Sequence, residues 1–483
     1  MSALGSRPTR VAQKGGLGRA LVLILGTVVW PGIAQFLAGA RRLGAAVMVA
    51  WVAVLLAVAV TWFRFRPDRM QVIDWLTDPA VLQVARITGL VVSVLWMLLF
   101  VDAWRLALVR SLGWWRLGVI SVVNVTVVAL ATSTTFLGWN TVTASKDVVE
   151  QVFSETEVKS PLKGRYNILL IGADSGSDRF GLRPDALNVV SIDATTGVPV
   201  MVSLPRNLQN VPFPEDSPMR TVYPYGYNCG TECLLNAVHT AAANRTDLYP
   251  DSKDPGLDAT IDAVEGVTGL KINYHVLVNM KGFSSLVDAV GGVEMEITEP
   301  IAKFGKDDAW KQVYIEPGKR KLNGKDALWY GRSRVQSDDY TRMGRQKCLM
   351  QAMLQQLSPE QVVLNAGQIA TSSAEMLSTN IPASELGAFG DLALKAKDHK
   401  IATLSVVPPK YSTVTPNFEQ IRADVAQLVA KSERQQKKNK KKNKKPAQTA
   451  PTSAAPTTQA PGTTEPTESP TAANNTDDLA ASC

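Results

Sequence analysis

RYNILLIGADSGSDRFGLRPDALNVVSIDATTGVPVMVSLPRN (165–207) holds three apolar, β-branched runs, at 165–172, 186–193 and 198–205. Runs of that length, bounded by Gly, Asp and Pro, read as buried strands. A turn falls at Thr196-Gly197. Charged residues stand where the strands end or begin: Asp174 after the first, Arg183-Pro184-Asp185 before the second, Arg206-Asn207 after the third. Loops on a rigid sheet are where ligand sites sit.

Outward from there, helical and strand-like stretches alternate. Residues 228–243 read as a loop running into a helix, 256–270 as an amphipathic helix, and 274–280 as a strand. Residues 281–293 form a helix stopped by Gly291-Gly292, and 294–298 a strand. A short helix at 322–334, helices over 341–357 and 360–378, a strand at 400–409 and a closing helix at 416–430 follow. This alternation predicts an α/β layered domain over 165–430.

The most charged part of that domain is YGRSRVQSDDYTRMGRQ (330–346). Arg332 and Arg334 are two apart, so on an extended segment they project to one side. Arg342 and Gln346 are four apart and share a helix face. Asp339 precedes Arg342 by three, at a plausible helix start. With Arg206, these planar, permanently charged forks suit a diphosphate; the competing reading is a solvated basic surface. Asp174 and Asp185 are a candidate pair for a hard divalent cation at phosphate oxygens, although loop aspartates also form turns.

At 483 residues the chain has room for several domains. Its net charge of +8 is concentrated at the ends. The run KKNKKKNKK (437–445) holds seven lysines, and Arg7, Arg10, Lys14 and Arg19 precede the first acid. The middle is near neutral, so a nucleic-acid-binding domain is not implied. His239, His275 and His399 lack metal-ligand spacing. Among the cysteines, Cys229 pairs locally with Cys233, or either pairs with Cys348; Cys483 has no assigned partner. Residues 446–473 are Pro/Thr/Ala/Ser-rich and predict disorder. The lysine run before them suits anionic headgroups or wall phosphates, or simply solubilises.

Four apolar runs open the chain, at 20–40, 44–63, 87–104 and 117–139. Three are long enough for spanning helices. The first is interrupted by Trp30-Pro31-Gly32 and reads as a broken helix or re-entrant hairpin. Arg41-Arg42 and the 105–116 loop read as cytoplasmic, and the 64–86 loop with Asp68, Asp74 and Asp78 as external. Everything after about 140 is then outside. A cytoplasmic N-terminus requires the re-entrant form, which is favoured over four spans. No cleavable signal peptide is evident. The expected organisation is a basic segment 1–19, a transmembrane region 20–140, a stalk 141–164, a globular domain 165–430 and a tail 431–483.

NILLIGADS, RPDALNVVSID, VSLPRN, VNMKGFSSLVDAVGGVEMEI, GKRKLNGKDALWYGRSR and DDYTRMGRQ, in that order, resemble the LytR-CpsA-Psr family of wall-polymer ligases. The resemblance is strong over 165–350 and weaker to about 430. NCGTECLLNA is similar to the cysteine-containing form in high-GC Gram-positive bacteria. The resemblance implies a three-layer α-β-α sandwich with a mixed central sheet, outside the membrane and preceded by an all-α transmembrane region. It implies an enzyme that moves a glycopolymer from a polyprenyl-diphosphate donor onto peptidoglycan, with the lipid tail in an apolar tunnel and polyprenyl phosphate leaving. Asp174 and Asp185 would hold Mg²⁺ (or Mn²⁺). Arg183, Arg206, Arg332, Arg334, Arg342 and Gln346 would bind the diphosphate, with Arg206, Arg332, Arg334 and Asp339 catalytic. Two departures stand out. Arg183-Pro-Asp-Ala replaces Arg-Ser-Asp-Thr, and Pro205-Arg206-Asn207 replaces Pro-Arg-Asp. Asp185 and Asp339 both remain open as the proton acceptor. The alternatives are a polyprenyl-diphosphate hydrolase and a non-catalytic lipid-glycan-binding regulator.

Overall fold

The structure, a computed structural model, describes residues 17–65, 79–107, 113–130, 132–133, 153–154, 158–174, 182–304, 312–335, 337–356, 377–443 and 483. The chain divides into two compact units, Met1–Lys146 and Asp147–Cys483.

The first unit is helical. Helix α1 (Leu17–Val29) stops at Trp30-Pro31-Gly32, with Gly32 at φ 93°, before the one-turn α2 (Ile33–Leu37). The 20–40 run is thus broken where its proline predicts. Helices α3 (Arg41–Phe65) and α4 (Pro79–Ala107) follow, then α5 (Trp114–Leu130). Arg41–Val60 and Gln83–Leu106 are long and apolar enough to cross a membrane; α5 is shorter. The end of the third expected span, 117–139, lies mostly outside the described residues: helix is described over 114–130 and again at 132–133. Some polar groups inside this unit are paired, Gln35 Nε2 donating to Asp102 Oδ2 (3.0 Å) and Trp96 Nε1 to Thr27 O (3.1 Å), while Gln35 Oε1 and Asn124 Oδ1 are buried with no hydrogen-bond partner among the described residues.

The second unit is mixed α/β. Its central sheet contains β1 (Phe153–Ser154), β2 (Arg165–Asp174), β3 (Arg183–Asp193), β4 (Pro199–Leu204), β5 (Tyr274–Asn279), β10 (Leu377–Pro382) and β11 (Ala402–Ser405). The order is β1-β10-β5-β2-β3-β4-β11. β2 runs antiparallel to β3 and parallel to β5, and β4 runs antiparallel to β3 and parallel to β11. The ends of β2 and β4, the start of β3 and the end of β5 therefore share one edge.

Strand alternation divides the apolar residues between two faces. Leu169, Ile171, Leu187, Val189 and Val202 join one core with Val238 of α6 (Val238–Ala242), Val264 of α7 (Pro255–Thr268) and Val425 of α12 (Phe418–Asn443). On the other face, Ile168 and Tyr274 pack with Phe389 of α11 (Leu386–Lys397), and Met201 and Ile401 with Met350 and Leu354 of α10 (Asp339–Gln356). Asp254 caps α7 by accepting from Leu257 N, with Pro255 at the first helical position.

Helices α8 (Met280–Ala289) and α9 (Gly324–Arg332) meet the two-stranded sheets β6 (Val293–Ile297) with β9 (Gly318–Leu322) and β7 (Ile301–Phe304) with β8 (Gln312–Ile315). Val287, Val293, Ile315, Leu322, Tyr330 and Leu349 form their own core. The 294–298 strand thus lies outside the central sheet. The helix expected at 360–378 falls mostly on undescribed residues, and its last positions belong to β10. Helix α12 continues to Asn443 instead of ending at 430. Of the expected stalk, Phe153–Ser154 pairs with β10. Two disulfides close the chain: Cys229–Cys233, and Cys348–Cys483 in place of the long-range options considered from sequence.

Lys347 is 1% exposed, and its Nζ has no hydrogen-bond partner among the described residues. Burial pushes its pKa down to about 8. Between about pH 8 and the ordinary lysine range the unfolded chain binds a proton that the folded chain has released, so stability rises with pH there. Below pH 8 both states are protonated, and the folded state carries a buried charge. Lys347→Met is expected to stabilise the protein by on the order of 2 kcal/mol at pH 7 and to remove the rise between pH 8 and 10. Urea titrations across that range measure both; an unchanged pH slope would refute the assignment.

Candidate functional site

The shared edge of the sheet gathers the charged residues picked out in the sequence. Asp185, in β3, faces Arg206, which follows β4: Arg206 Nη1 lies 2.6 Å from Asp185 Oδ1. Asp339, the first residue of α10, is the hub. It sits 3.4 Å from Arg206 Nε, 3.3 Å from Arg334 Nε and 3.1 Å from Arg342 Nη2. Arg342 also donates from Nη2 to the Asp185 carbonyl at 3.1 Å, tying α10 to β3. An acid at a helix start is favoured by the helix dipole, and the i,i+3 spacing brings Arg342 onto it.

One carboxylate shared by three guanidiniums leaves an excess of positive charge. Burial works against the charged form of Asp339, but its hydrogen bond to Arg342 and the charges of Arg342, Arg206 and Arg334 outweigh it and hold its carboxyl below the usual range. Burial, then repulsion from Arg206 and Arg342, lowers the pKa of Arg334. Arg342 is 2% exposed and Arg334 42%. The buried arginine thus fixes the hub while Arg334 remains open to solvent. Donors of this kind suit phosphate oxygens.

The other predicted residues are placed differently. Arg332 ends α9 and Arg334 lies in the loop beyond it, and both are exposed on either side of the buried Ser333. Arg332 lies 5.0 Å over the Trp329 ring and donates to Met280 Sδ at 3.0 Å. Gln346 Nε2 donates to Gly331 O at 3.0 Å and braces the loop instead of entering the hub. Arg183 is exposed at the start of β3, opposite Asp174 in register. The Asp174 side chain and loop residues 175–181 lie outside the described residues. Asn207 Oδ1 is buried without a hydrogen-bond partner among the described residues.

Sequence reasoning passed over Arg345, which is buried and donates to Tyr330 O (3.2 Å), Ser333 O and Ser337 Oγ (2.9 Å). It clamps the loop that carries Arg334. Trp329, three residues before Arg332 on one helix, was readable as its i,i+3 partner. Among the described residues, no group of three or more His, Cys, Asp or Glu is placed to hold a metal.

Comparison with known proteins covers this same region. The chain is 26% identical over 253 residues to the polyisoprenyl-teichoic acid–peptidoglycan teichoic acid transferase TagV of Bacillus subtilis, covering 52% of this chain and 58% of that protein. It is 27% identical over 228 residues to the cell wall biosynthesis protein LcpA of Corynebacterium glutamicum, covering 43% of this chain and 42% of that one. The chain thus spans about six tenths or less of the length of these relatives. The crystal structure of B. subtilis TagV matches at 24% identity with a TM-score of 0.41, covering 55% of this chain and 97% of that one. The model of the LytR_cpsA_psr family matches residues 133–445, a span that contains the sheet edge, the Asp339 hub and all five of the predicted arginines. On that match over more than half its length, the chain belongs to the LytR_cpsA_psr family.

Proposed function

We propose that this protein transfers a glycopolymer from a polyprenyl-diphosphate carrier onto peptidoglycan through a phosphodiester. The observation that carries this reading is the sharing of Asp339 by Arg206, Arg334 and Arg342 at the sheet edge. In the reaction, an acceptor hydroxyl oxygen bonds to the phosphorus next to the glycan. The bond from that phosphorus to the bridging oxygen breaks, and polyprenyl phosphate leaves. The hydroxyl proton passes to a carboxylate, Asp339 or Asp185. Arg206, Arg334 and Arg342 neutralise the non-bridging oxygens, and such positioned charge dominates phosphoryl transfer. Arg332, held over Trp329, and Arg183 complete the diphosphate set in this reading.

Asp185 and Asp174 sit near one end of the β2–β3 hairpin and are hard oxygen donors. Two carboxylates with phosphate oxygens and water are a donor set that Mg²⁺ accepts. Bound there, the ion would supply charge neutralisation at the leaving phosphate. Asn207 stands where the family has an acid, and Arg206 takes both of its carboxylates from Asp185 and Asp339 instead. Helices on both faces of the sheet support a three-layer domain. The two long apolar helices and the break at Pro31 support a membrane anchor with a re-entrant first segment and the α/β unit outside.

The test uses the full chain with Mg²⁺, a polyprenyl-diphosphate saccharide and a peptidoglycan oligomer, read by mass spectrometry. Saccharide joined to the acceptor through phosphate supports transfer. Lipid phosphate released without acceptor product would make the protein a hydrolase, and tight binding without turnover a regulator.

Asp339 also competes with phosphate for its three arginines. Asp339→Asn is therefore expected to bind inorganic diphosphate about fivefold to tenfold more tightly while transferring more slowly. Calorimetry and initial rates separate the two effects, and weaker diphosphate binding would show that Asp339 positions the arginines more than it masks them.

A further inference from the structure

A cavity of about 400 Å³ lies on the side of α10 turned away from the central sheet. The α10 residues that line it recur every three or four positions from Thr341 to Gln355, so one helix face forms a wall about 21 Å long. Strand β6, residues 298–299 and Tyr330 of α9 line it as well. Thr341 is two residues from Asp339, so the cavity begins within one turn of the hub. Two of the groups around it have bonding capacity that the domain does not use. Tyr330 is 7% exposed, and its hydroxyl makes no hydrogen bond among the described residues. A buried phenol without a partner costs free energy that a ligand can restore. Glu299 is exposed at the rim and close enough to act on the phenol electrostatically, yet it forms no ion pair among the described residues. Arg345 is near both, but its Nη1 and Nη2 atoms are spent on Tyr330 O, Ser333 O and Ser337 Oγ. Glu294 and Glu296 also line the cavity, with Lys321 and Lys319 opposite them across β6–β9. Glu299 is thus the carboxylate left for a ligand.

A ligand that donates to both a carboxylate and a phenol oxygen, and lays an apolar stem along Met295 and Ala352, is a primary ammonium on an alkyl arm. Gln351 Oε1, buried without a partner on the same helix face, is a further acceptor for such donors. We infer that this cavity binds the side-chain ammonium of a diamino acid in the peptide stem of the acceptor, and so holds the acceptor beside the Asp339 hub. The ammonium–Glu299 pair is charge-assisted and sits at the rim, so salt weakens it. The choice of peptidoglycan as the carrier of the amine rests on the transfer reading; the ammonium site itself does not.

The test titrates the full chain, without lipid donor, with a disaccharide-peptide fragment of peptidoglycan whose stem diamino acid has its side-chain amine either free or N-acetylated. Calorimetry is expected to show the free amine binding about tenfold more tightly at low salt. In Glu299→Gln that preference should fall to within about twofold, and in Tyr330→Phe it should shrink as well. Both variants keep the fold, since one side chain is exposed and the other loses only an unpartnered hydroxyl. In the transfer assay the N-acetylated acceptor should raise KM and leave kcat nearly unchanged, the pattern for binding felt equally in ground and transition states. Equal affinity for the two fragments overturns the inference, and so does a preference that survives Glu299→Gln. Selective binding that appears only in Cys483→Ser also overturns it, because the chain's own C-terminal residues would then be the occupant. Amine-selective binding without any transfer keeps the site and removes the transfer reading; transfer without amine preference does the reverse.

Discussion

Arg334→Ala leaves the protein folded and lowers transfer of saccharide to peptidoglycan by roughly 100- to 1,000-fold, the loss expected for one preset donor at a developing charge. Arg334 is well placed for this result. It is 42% exposed, and among the described residues its one ion pair is to Asp339 at 3.3 Å. Removing it therefore costs the fold little. What is lost is a charged fork beside Arg206 and Arg342. Lysine keeps the charge but not the planar pair of donors, so Arg334→Lys is expected to recover only part of the rate. Arg332→Ala should lose activity to a similar degree. Arg345→Ala provides the contrast: it strips hydrogen bonds from Tyr330, Ser333 and Ser337, so stability and activity fall together. Initial rates paired with thermal melts distinguish the classes. A wild-type rate in Arg334→Ala would remove that residue from the site.

Gly266→Ala is expected to be among the most costly small changes in the α/β unit. Alanine is the better helix former by about 1 kcal/mol, and Gly266 lies within α7. Contact decides otherwise. A Cβ at this position would sit 2.0 Å from the Pro212 carbonyl oxygen and 2.8 Å from its carbon. Both are backbone atoms, so no rotamer relieves the overlap. Arg422 Nη1 also donates to Gly266 O at 2.8 Å, holding α12 to the same turn. Helix α7 must move off the 212–213 segment, at about 3 kcal/mol or more, lowering the melting temperature by roughly 6 to 10 °C. A mutant that melts with the wild type would show that the helix and loop separate freely.

The strands β2, β3 and β4 were legible because each carries a short, mostly buried apolar stretch, and the charged residues beside them mark the functional edge. Arg206, Arg334, Arg342, Asp185 and Asp339 meet as the sequence suggested. The contacts of Arg332 with Trp329 and Met280 were not legible. They depend on α9 ending at Arg332, a boundary that spacing alone does not set. The small sheets β6–β9 and the strand β10 were missed because their stabilisation comes from neighbours distant in sequence. Helix α12 was cut short at the start of the lysine run, although lysine is a good helix former and a docked face extends to Gln436. The partner of Cys348 had no local signal at all, since it lies 135 residues away.

That last pairing changes the topology of the molecule. With Cys483 joined to Cys348, residues 348–483 form a covalent ring closed on the helix bearing Arg342 and Asp339, as in a lasso. A single proteolytic cut anywhere from 349 to 482 opens the ring without freeing a fragment. The nicked protein should run as one species on a non-reducing gel and separate into two only after reduction. A protein exposed to proteases would thus tolerate one break without losing a piece of itself.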